Sequence, residues 1–169
     1  MKLFLDVDDT IFDTEGYIRE LLGGEWLTDS RIIYSCYEDM TFRELNKVIT
    51  VFSNYNKVPF KICAYDGLNI LKSKYDVVLC SSYKYSCEYK AKEAIAKRLN
   101  TPIILCGGKN WDKSHIDMSD SVFVDNNTRI LNLSNASRKV CFYQQGNLVE
   151  EFRDGDIVFN WSELLDKLC

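Results

Sequence analysis

Four short apolar runs, each followed at once by polar or charged residues, constrain the fold of this chain more than any other feature of its sequence. They are 2–7 (KLFLDV), 76–82 (DVVLCSS), 101–107 (TPIILCG) and 121–127 (SVFVDNN). Continuous apolar runs of this length are typical of strands buried on both faces of a sheet. A fifth run, 138–143 (RKVCFY), has the same character. The sequence thus predicts five buried strands.

Segments rich in helix-forming residues separate several of these strands. The longest of them, 86–100 (SCEYKAKEAIAKRLN), lies between the second and third runs. Further helices are predicted at 65–74, 128–136 and 161–168. Strands that alternate with helices favour a parallel sheet covered on both faces. The predicted fold class is therefore α/β, with a Rossmann-like parallel sheet.

Residues 13–58 break the alternation, because they contain no convincing strand pattern. Apolar residues recur there at helical spacing, at Ile18, Leu21 and Leu22 and again at Phe42, Leu45, Val48, Ile49 and Phe52. A segment of this length is too long for a simple loop. We therefore predict a mainly helical cap at 13–58, inserted after the first strand of a core domain that comprises 1–12 and 59–169. Such an insert would lie above the carboxyl end of that strand, where open α/β sheets bind ligands.

Composition and charge narrow the classes of function. The 169 residues carry a net charge of −4 and no Lys/Arg run longer than two, which argues against binding long nucleic acid. Acidic residues interrupt the N-terminus and no apolar run approaches membrane-spanning length, so we expect a cytoplasmic protein with no membrane partner. The seven cysteines form no CxxC pair and one histidine is present, which favours reduced thiols over disulfides or zinc.

The polar residues that follow the predicted strands would meet at one edge of a parallel sheet. The first strand leads into DVDDT (6–10), the second into Ser81-Ser82, the third is followed by KNWDK (109–113), and the fourth ends in DNN (125–127). Crowded carboxylates repel one another and are costly to bury, so a divalent cation is the simplest group to offset them. Carboxylates, hydroxyls, an amine and a metal together suit phosphoryl transfer.

In this order the motifs resemble those of the haloacid dehalogenase-like (HAD) phosphohydrolases. The resemblance covers the whole chain: DxDxT after a first strand, Ser/Thr after a second, and Lys ahead of an acid-ended strand. It implies that Asp6 is the nucleophile that forms an aspartyl-phosphate. It further implies that Asp8 is the general acid/base, which protonates the leaving oxygen and then activates water.

The same resemblance implies a phosphate site and a Mg²⁺ site. Thr10, Ser81, Ser82 and Lys113 correspond to the residues that hold the phosphate, and Lys113 is also the catalytic lysine. The metal ligands would be Asp6, the backbone carbonyl of Asp8, and Asp125, with Asn126 as an outer ligand.

Three details of the motifs stay open at the level of sequence. Lys109 competes with Lys113 for the role of motif lysine. Asn126 stands where many relatives have a second acid, which removes one negative charge from the metal site. Asp9 stands where many relatives have glycine, and it either compensates for that charge or is a surface acid.

A closer resemblance is to the small 5'(3')-deoxyribonucleotidases and their phage and bacterial relatives. It rests on 78–83 (VLCSSY), 111–114 (WDKS) and 124–127 (VDNN), with Tyr83 in place of a proline. It implies a 5'-nucleotidase that releases phosphate from deoxyribonucleoside monophosphates beneath a helical cap. Aromatic candidates for stacking on the base are Phe12, Tyr17, Trp26, Tyr34, Tyr37 and Phe42.

Two other functions are compatible with the same motifs. One keeps the chemistry and changes the substrate, to 3'-phosphorylated nucleic-acid ends or to sugar phosphates. The other is a catalytically weak protein that binds a phosphorylated ligand or a partner. Asn126, in place of a second acid, is the residue that would indicate this loss of activity. The sequence does not decide the base, the sugar, the position of the phosphate or whether the chain forms a homodimer.

Overall fold

The computed structural model describes residues 1–22, 42–143, 152 and 154–169. Within them the chain forms one six-stranded sheet in which every neighbouring pair is parallel. The strands are β1 (Lys2–Leu5), β2 (Asp76–Tyr83), β3 (Ile103–Gly107), β4 (Ser121–Asp125), β5 (Arg138–Phe142) and β6 (Asp156–Val158). Their order is β3-β2-β1-β4-β5-β6. The predicted Rossmann-like α/β fold is thus confirmed.

Helices connect most of the strands. They are α1 (Thr14–Leu22), α2 (Phe42–Ser53), α3 (Ala64–Lys74), α4 (Ser86–Arg98), α5 (Thr128–Leu133) and α6 (Trp161–Leu168), with short 3-10 turns at Tyr55–Lys57 and Gly108–Asn110. Helix α6 has its predicted bounds. Helix α5 ends earlier than predicted, because Ser134 has an extended backbone (φ −73°, ψ 152°).

The sheet buries apolar side chains on both faces, as alternation along its strands requires. Leu3 and Leu5 of β1 belong to one core with residues of α1, α2, α3, α4 and α6. Phe4 points to the opposite face, where it belongs to a second core with Ile130 and Leu131 of α5. The predicted placement of helices on both faces is therefore confirmed.

The register of the central strands determines which residues meet at the carboxyl edge. Leu5 of β1 pairs with Leu79 of β2 on one side and with Val124 of β4 on the other. Asp6 therefore lies level with Asp125, and its backbone N–H donates to the Val124 carbonyl at 3.0 Å. Because the chain order reverses direction at β1, these residues lie at the switch point where α/β sheets bind ligands.

The described part of the predicted cap contains α1 and α2. Helix α2 packs against α1 and α4, and its Val48 and Phe52 are buried in the same core as Leu3 and Leu5. Residues 23–41 lie outside the described residues. The division into a core and a separate cap stays a prediction.

Six of the cysteines fall within the described residues, and all six are free thiols. Cys36 lies outside those residues. Among the described helices, none has both the length and the apolar character that a membrane crossing requires.

Candidate active site

A buried lysine joins two aspartates at the carboxyl edge of the sheet. The Nζ atom of Lys113 lies 2.6 Å from Asp6 Oδ1, just after β1, and 2.6 Å from Asp125 Oδ2, at the end of β4. Lys113 is only 1% exposed. Lys109, its rival in the sequence, is exposed in the 3-10 turn that follows β3. The structure therefore brings Lys113, and not Lys109, to the aspartates.

The two carboxylates carry more negative charge than one ammonium can neutralise. Burial raises the pKa of Asp6 to about 7; Lys113 opposes this rise, whereas Asp125 and Asp8 add to it. Burial alone would lower the pKa of Lys113, but Asp125 and Asp6 raise it well above its usual range. Lys113 is therefore a permanent cation, and the cluster still favours one more positive charge.

Asp8 belongs to a second cluster, next to the first. Its Oδ1 accepts hydrogen bonds from the Thr14 hydroxyl at 2.9 Å and from the Tyr55 hydroxyl at 2.7 Å. Its Oδ2 lies 2.7 Å from the Nζ atom of Lys92. Burial would raise the pKa of Asp8, but the ion pair with Lys92 and the hydrogen bonds lower it.

Sequence reasoning missed Lys92 and Tyr55. In α4, Lys92 also pairs with Glu88 at 2.8 Å and donates to the Ser82 carbonyl. Its sequence context looks like an ordinary charged helix surface. One signal was available, because Glu88 and Lys92 are four residues apart in the helix that follows the second motif.

The predicted phosphate-binding hydroxyls lie around these clusters. Thr10 is buried, and its hydroxyl donates to Asp6 Oδ2 at 3.5 Å. Ser81 is buried at the end of β2 and donates to the Ser82 carbonyl at 3.5 Å, while the Ser82 hydroxyl donates to the Trp111 carbonyl at 2.6 Å. Thr10 thus contacts Asp6, the candidate nucleophile. Ser82 contacts Lys92 through its carbonyl and the segment before Lys113 through its hydroxyl.

Asn126 follows Asp125 at the end of β4 and is half-buried. The next residue, Asn127, donates its backbone N–H to Asp125 Oδ1 at 2.8 Å. The Asn127 side chain caps α5 by accepting from the backbone N–H groups of Arg129 and Ile130. This turn holds the Asp125 carboxylate in place, and an outer metal-ligand role for Asn126 stays a prediction.

The aromatic candidates for base stacking separate into three groups. Phe12 is fully buried and stacks on Phe60 with ring centroids 4.5 Å apart, so it is a core residue and is not available to a base. Tyr17 is half-buried against the same core. Trp26, Tyr34 and Tyr37, together with the side chain of Phe42, lie outside what the structure describes.

Asp9 is fully buried, so its interpretation as a surface acid is wrong. Its Oδ1 accepts the backbone N–H of Glu15 at 2.8 Å, at the start of α1. Its Oδ2 is buried without a hydrogen-bond partner among the described residues. Burial therefore raises the pKa of Asp9 well above its usual value, with a smaller contribution from Asp8.

Replacing Asp9 with asparagine should stabilise the protein at neutral and alkaline pH. A raised folded-state pKa gives stability that is present at low pH and lost as the pH rises through that pKa. Asparagine stays neutral, keeps an oxygen for the Glu15 N–H, and tolerates the φ of 57° at this position. We expect Asp9→Asn to gain about 1–3 kcal/mol at pH 8 and much less at pH 5, measured by urea unfolding.

The matched control is Asp120→Asn, which removes an exposed carboxylate. It should change the free energy of unfolding by less than about 0.5 kcal/mol at either pH. A loss of stability in Asp9→Asn at pH 8 would contradict the description of Asp9 as an uncompensated buried acid.

The donor set at the sheet edge fits Mg²⁺. Asp6 and Asp125 supply two buried carboxylates that share one ammonium, and both are hard oxygen donors. The described residues contain no cluster of three or more His, Cys, Asp or Glu side chains able to hold a metal. Mg²⁺ commonly binds through one or two carboxylates, with water and phosphate oxygens completing its shell. Two buried carboxylates at the switch point therefore suit this ion, and the Asp8 carbonyl as a third ligand stays a prediction.

The fold resembles that of several solved hydrolases. A haloacid dehalogenase-like hydrolase from Burkholderia xenovorans matches with a TM-score of 0.61 at 13% identity, over 98% of this chain and 94% of that one. A haloacid dehalogenase-like hydrolase from Xanthomonas campestris matches with a TM-score of 0.57 at 14% identity, over 99% and 94%. The HAD-hydrolase YfnB from Bacillus subtilis, solved bound to magnesium, matches with a TM-score of 0.56 at 10% identity, over 99% and 97%.

No protein-family model and no curated protein matches the sequence itself. At identities this low, similarity to solved structures establishes the fold alone. The chain therefore has the α/β fold of the haloacid dehalogenase-like hydrolases. Its activity and substrate have to be argued from the site.

Proposed function

We propose that this protein is a Mg²⁺-dependent phosphomonoesterase that works through an aspartyl-phosphate on Asp6. The observation that carries the proposal is the Lys113 ammonium, which lies 2.6 Å from both Asp6 and Asp125 at the switch point of the sheet. Phosphoryl transfer requires a nucleophilic carboxylate and fixed positive charge close to the phosphate. The carboxyl edge of the sheet supplies both, together with a second carboxylate.

In the first half-reaction, an Asp6 oxygen attacks the phosphorus and the bond from phosphorus to the leaving oxygen breaks. Lys92 and the hydrogen bonds lower the pKa of Asp8 in the free protein, and the negative charge of a bound phosphate would raise it, so that Asp8 takes up a proton with the substrate. Asp8 then gives this proton to that oxygen, and the alcohol departs. Lys113 orients the Asp6 carboxylate, and Thr10, Ser81 and Ser82 are proposed to hold the phosphate oxygens. Asp6, Asp125 and the Asp8 carbonyl would hold Mg²⁺, which would supply positive charge to neutralise the transferring phosphoryl group.

In the second half-reaction, Asp8 takes a proton from water, whose oxygen attacks the phosphorus of the aspartyl-phosphate. The bond between phosphorus and Asp6 breaks, which releases inorganic phosphate and restores the carboxylate. Asp8 thus returns to the protonation state in which it began, and the cycle closes without another reactant.

We propose deoxyribonucleoside monophosphates as the substrate class, hydrolysed at the 5' phosphate. The proposal rests on the resemblance of residues 78–83, 111–114 and 124–127 to the small deoxyribonucleotidases. A net charge of −4 also disfavours long nucleic acid as substrate. Residues 13–58 come after the DVDDT motif that contains the nucleophile and are proposed to form the cap that contacts the base.

Phosphate release from a panel of esters tests the proposal. We expect release from 5'-deoxyribonucleoside monophosphates with Mg²⁺, and a loss of more than about 100-fold in EDTA, because the metal neutralises transition-state charge. Preference for 3'-phosphorylated oligonucleotides or sugar phosphates would keep the chemistry and replace the substrate. Ligand-induced stabilisation without release from any ester would overturn the proposed activity in favour of a binding protein.

A further inference from the structure

Lys92 is a buried cation that the proposed mechanism does not use. It projects from α4, which follows the phosphate-binding motif at the end of β2, and it is 1% exposed. Burying an ammonium is costly unless close acceptors offset the loss of water. The acceptors that offset the burial of Lys92 therefore indicate its role.

All three donors of the Lys92 ammonium have acceptors within the protein. They are Asp8 Oδ2 at 2.7 Å, Glu88 Oε1 at 2.8 Å and the backbone carbonyl of Ser82. A lysine ammonium carries three N–H groups and no more. None is left for a phosphate oxygen, so direct contact with substrate is not the role of Lys92.

The carboxylate of Asp8 is held from the other side as well. Tyr55, in the turn after α2, donates its hydroxyl to Asp8 Oδ1, and Thr14 at the start of α1 does the same. The Lys92 ammonium also lies 5.8 Å from the centre of the Tyr55 ring, within the range of a cation–π contact. Three separate elements thus fix the orientation of one carboxylate.

The same ammonium fixes the chain that follows β2. It binds the Ser82 carbonyl, and the Ser82 hydroxyl in turn binds the Trp111 carbonyl, two residues before Lys113. Glu88 holds the next segment, because its carboxylate accepts the backbone N–H of Lys84 at 2.8 Å. Lys92 therefore links the proposed general acid/base to the proposed phosphate-binding loop.

We propose that Lys92 is a positioning residue, which holds the Asp8 carboxylate in register with the phosphate-binding loop so that the proton reaches the leaving oxygen. This inference rests on the proposed function. Positioning errors of about 1 Å can cost about 100-fold in rate, even when every reacting group is present. The role therefore predicts a kinetic defect that depends on how much the leaving group needs a proton.

The experiment compares Lys92→Met with Lys90→Met, an exposed lysine of the same helix. Each is assayed in a single turnover with Mg²⁺, once with the best nucleoside monophosphate and once with p-nitrophenyl phosphate. The alkoxide leaving group requires protonation, whereas p-nitrophenolate departs without it. We expect Lys92→Met to slow the first half-reaction about 10–100-fold with the nucleotide and less than about 3-fold with the aryl ester, at little cost in KM.

Lys90→Met should match the wild-type protein with both substrates. An equal loss with both esters would show that Lys92 only supports the fold, and no loss in Lys92→Met would show that it does nothing for Asp8. Either result overturns the inference while the proposed function stands. A wild-type protein inactive on every ester would overturn the proposed function, and the inference with it.

Tyr55→Phe keeps the inference testable if Lys92→Met does not fold. This variant removes the hydroxyl that binds Asp8 Oδ1 and retains the ring. We expect the same dependence on the leaving group, with a loss of about 3–10-fold for the nucleotide and no loss for the aryl ester. Loss of equal size with both esters contradicts the inference here too.

Discussion

Replacing Asp6 with asparagine should lower Mg²⁺-dependent phosphate release by about 10⁴-fold or more, because the amide cannot form the phosphorylated intermediate. The substitution keeps the size of the side chain and leaves Lys113 paired with Asp125. The protein should therefore stay folded while turnover is lost. Single-turnover assays with the best ester of the panel, with circular dichroism as the check on folding, measure both.

Asp120→Asn provides the comparison for Asp6→Asn, because it makes the same chemical change at an exposed position. It should retain wild-type turnover. Activity in Asp6→Asn within about 10-fold of the wild type would contradict the assignment of Asp6 as nucleophile. It would also require a different residue to carry the phosphoryl group.

Replacing Lys113 with methionine should cost stability as well as activity. The change leaves Asp6 and Asp125 as buried carboxylates without their shared ammonium, and both are at most 5% exposed. Removing one partner of a buried ion pair typically costs about 3–5 kcal/mol. We expect a loss of this size in the free energy of unfolding, measured in urea with EDTA, together with loss of phosphate release.

Lys109→Met is the matched control, because Lys109 is exposed and four residues earlier in the same connection. It should change the free energy of unfolding by less than about 0.5 kcal/mol and leave turnover intact. Adding Asp125→Asn to Lys113→Met removes one uncompensated charge and should recover part of the lost stability. If Lys109→Met were the more damaging variant, the assignment of the motif lysine would be reversed.

The fold was predictable because burial leaves a strong signal in short apolar runs. Residues 2–7, 101–107, 121–127 and 138–143 each contain an observed strand, and β2 extends one residue beyond 76–82, to Tyr83. The predicted and observed strand ends differ by no more than two residues, and at β1 the apolar run continues past the end of the strand. Val7, for example, is fully buried although β1 ends at Leu5.

Strand β6 was not predicted, for an identifiable physical reason. It is three residues long, and Ile157 at its centre is exposed because β6 is the edge strand of the sheet. A strand so short gives no periodicity to detect. Its pairing with β5 depends on tertiary structure that no local pattern records.

The site was predictable to the extent that its residues come directly after strands. Asp6 and Asp125 follow from the parallel register alone, whereas Lys113 needed a motif to distinguish it from Lys109. Lys92 and Tyr55 were missed because they contact Asp8 from a helix and a turn that lie far along the chain. No local sequence pattern connects residues that are so far apart. Burial of Asp9 was likewise undecidable, since a charged residue in a turn is usually exposed.

Trapping the phosphorylated protein tests whether Asp6 carries the phosphoryl group. The experiment mixes Asp8→Asn with a ³²P-labelled aryl phosphate and Mg²⁺, so that the aspartyl-phosphate forms without protonation of the leaving group and breaks down slowly without its general base. After acid quenching, we expect label on the peptide that contains Asp6, and no label on this peptide in Asp6→Asn/Asp8→Asn. Phosphate release by the wild-type protein with no label on that peptide in Asp8→Asn, or with label on another residue, would contradict this role of Asp6.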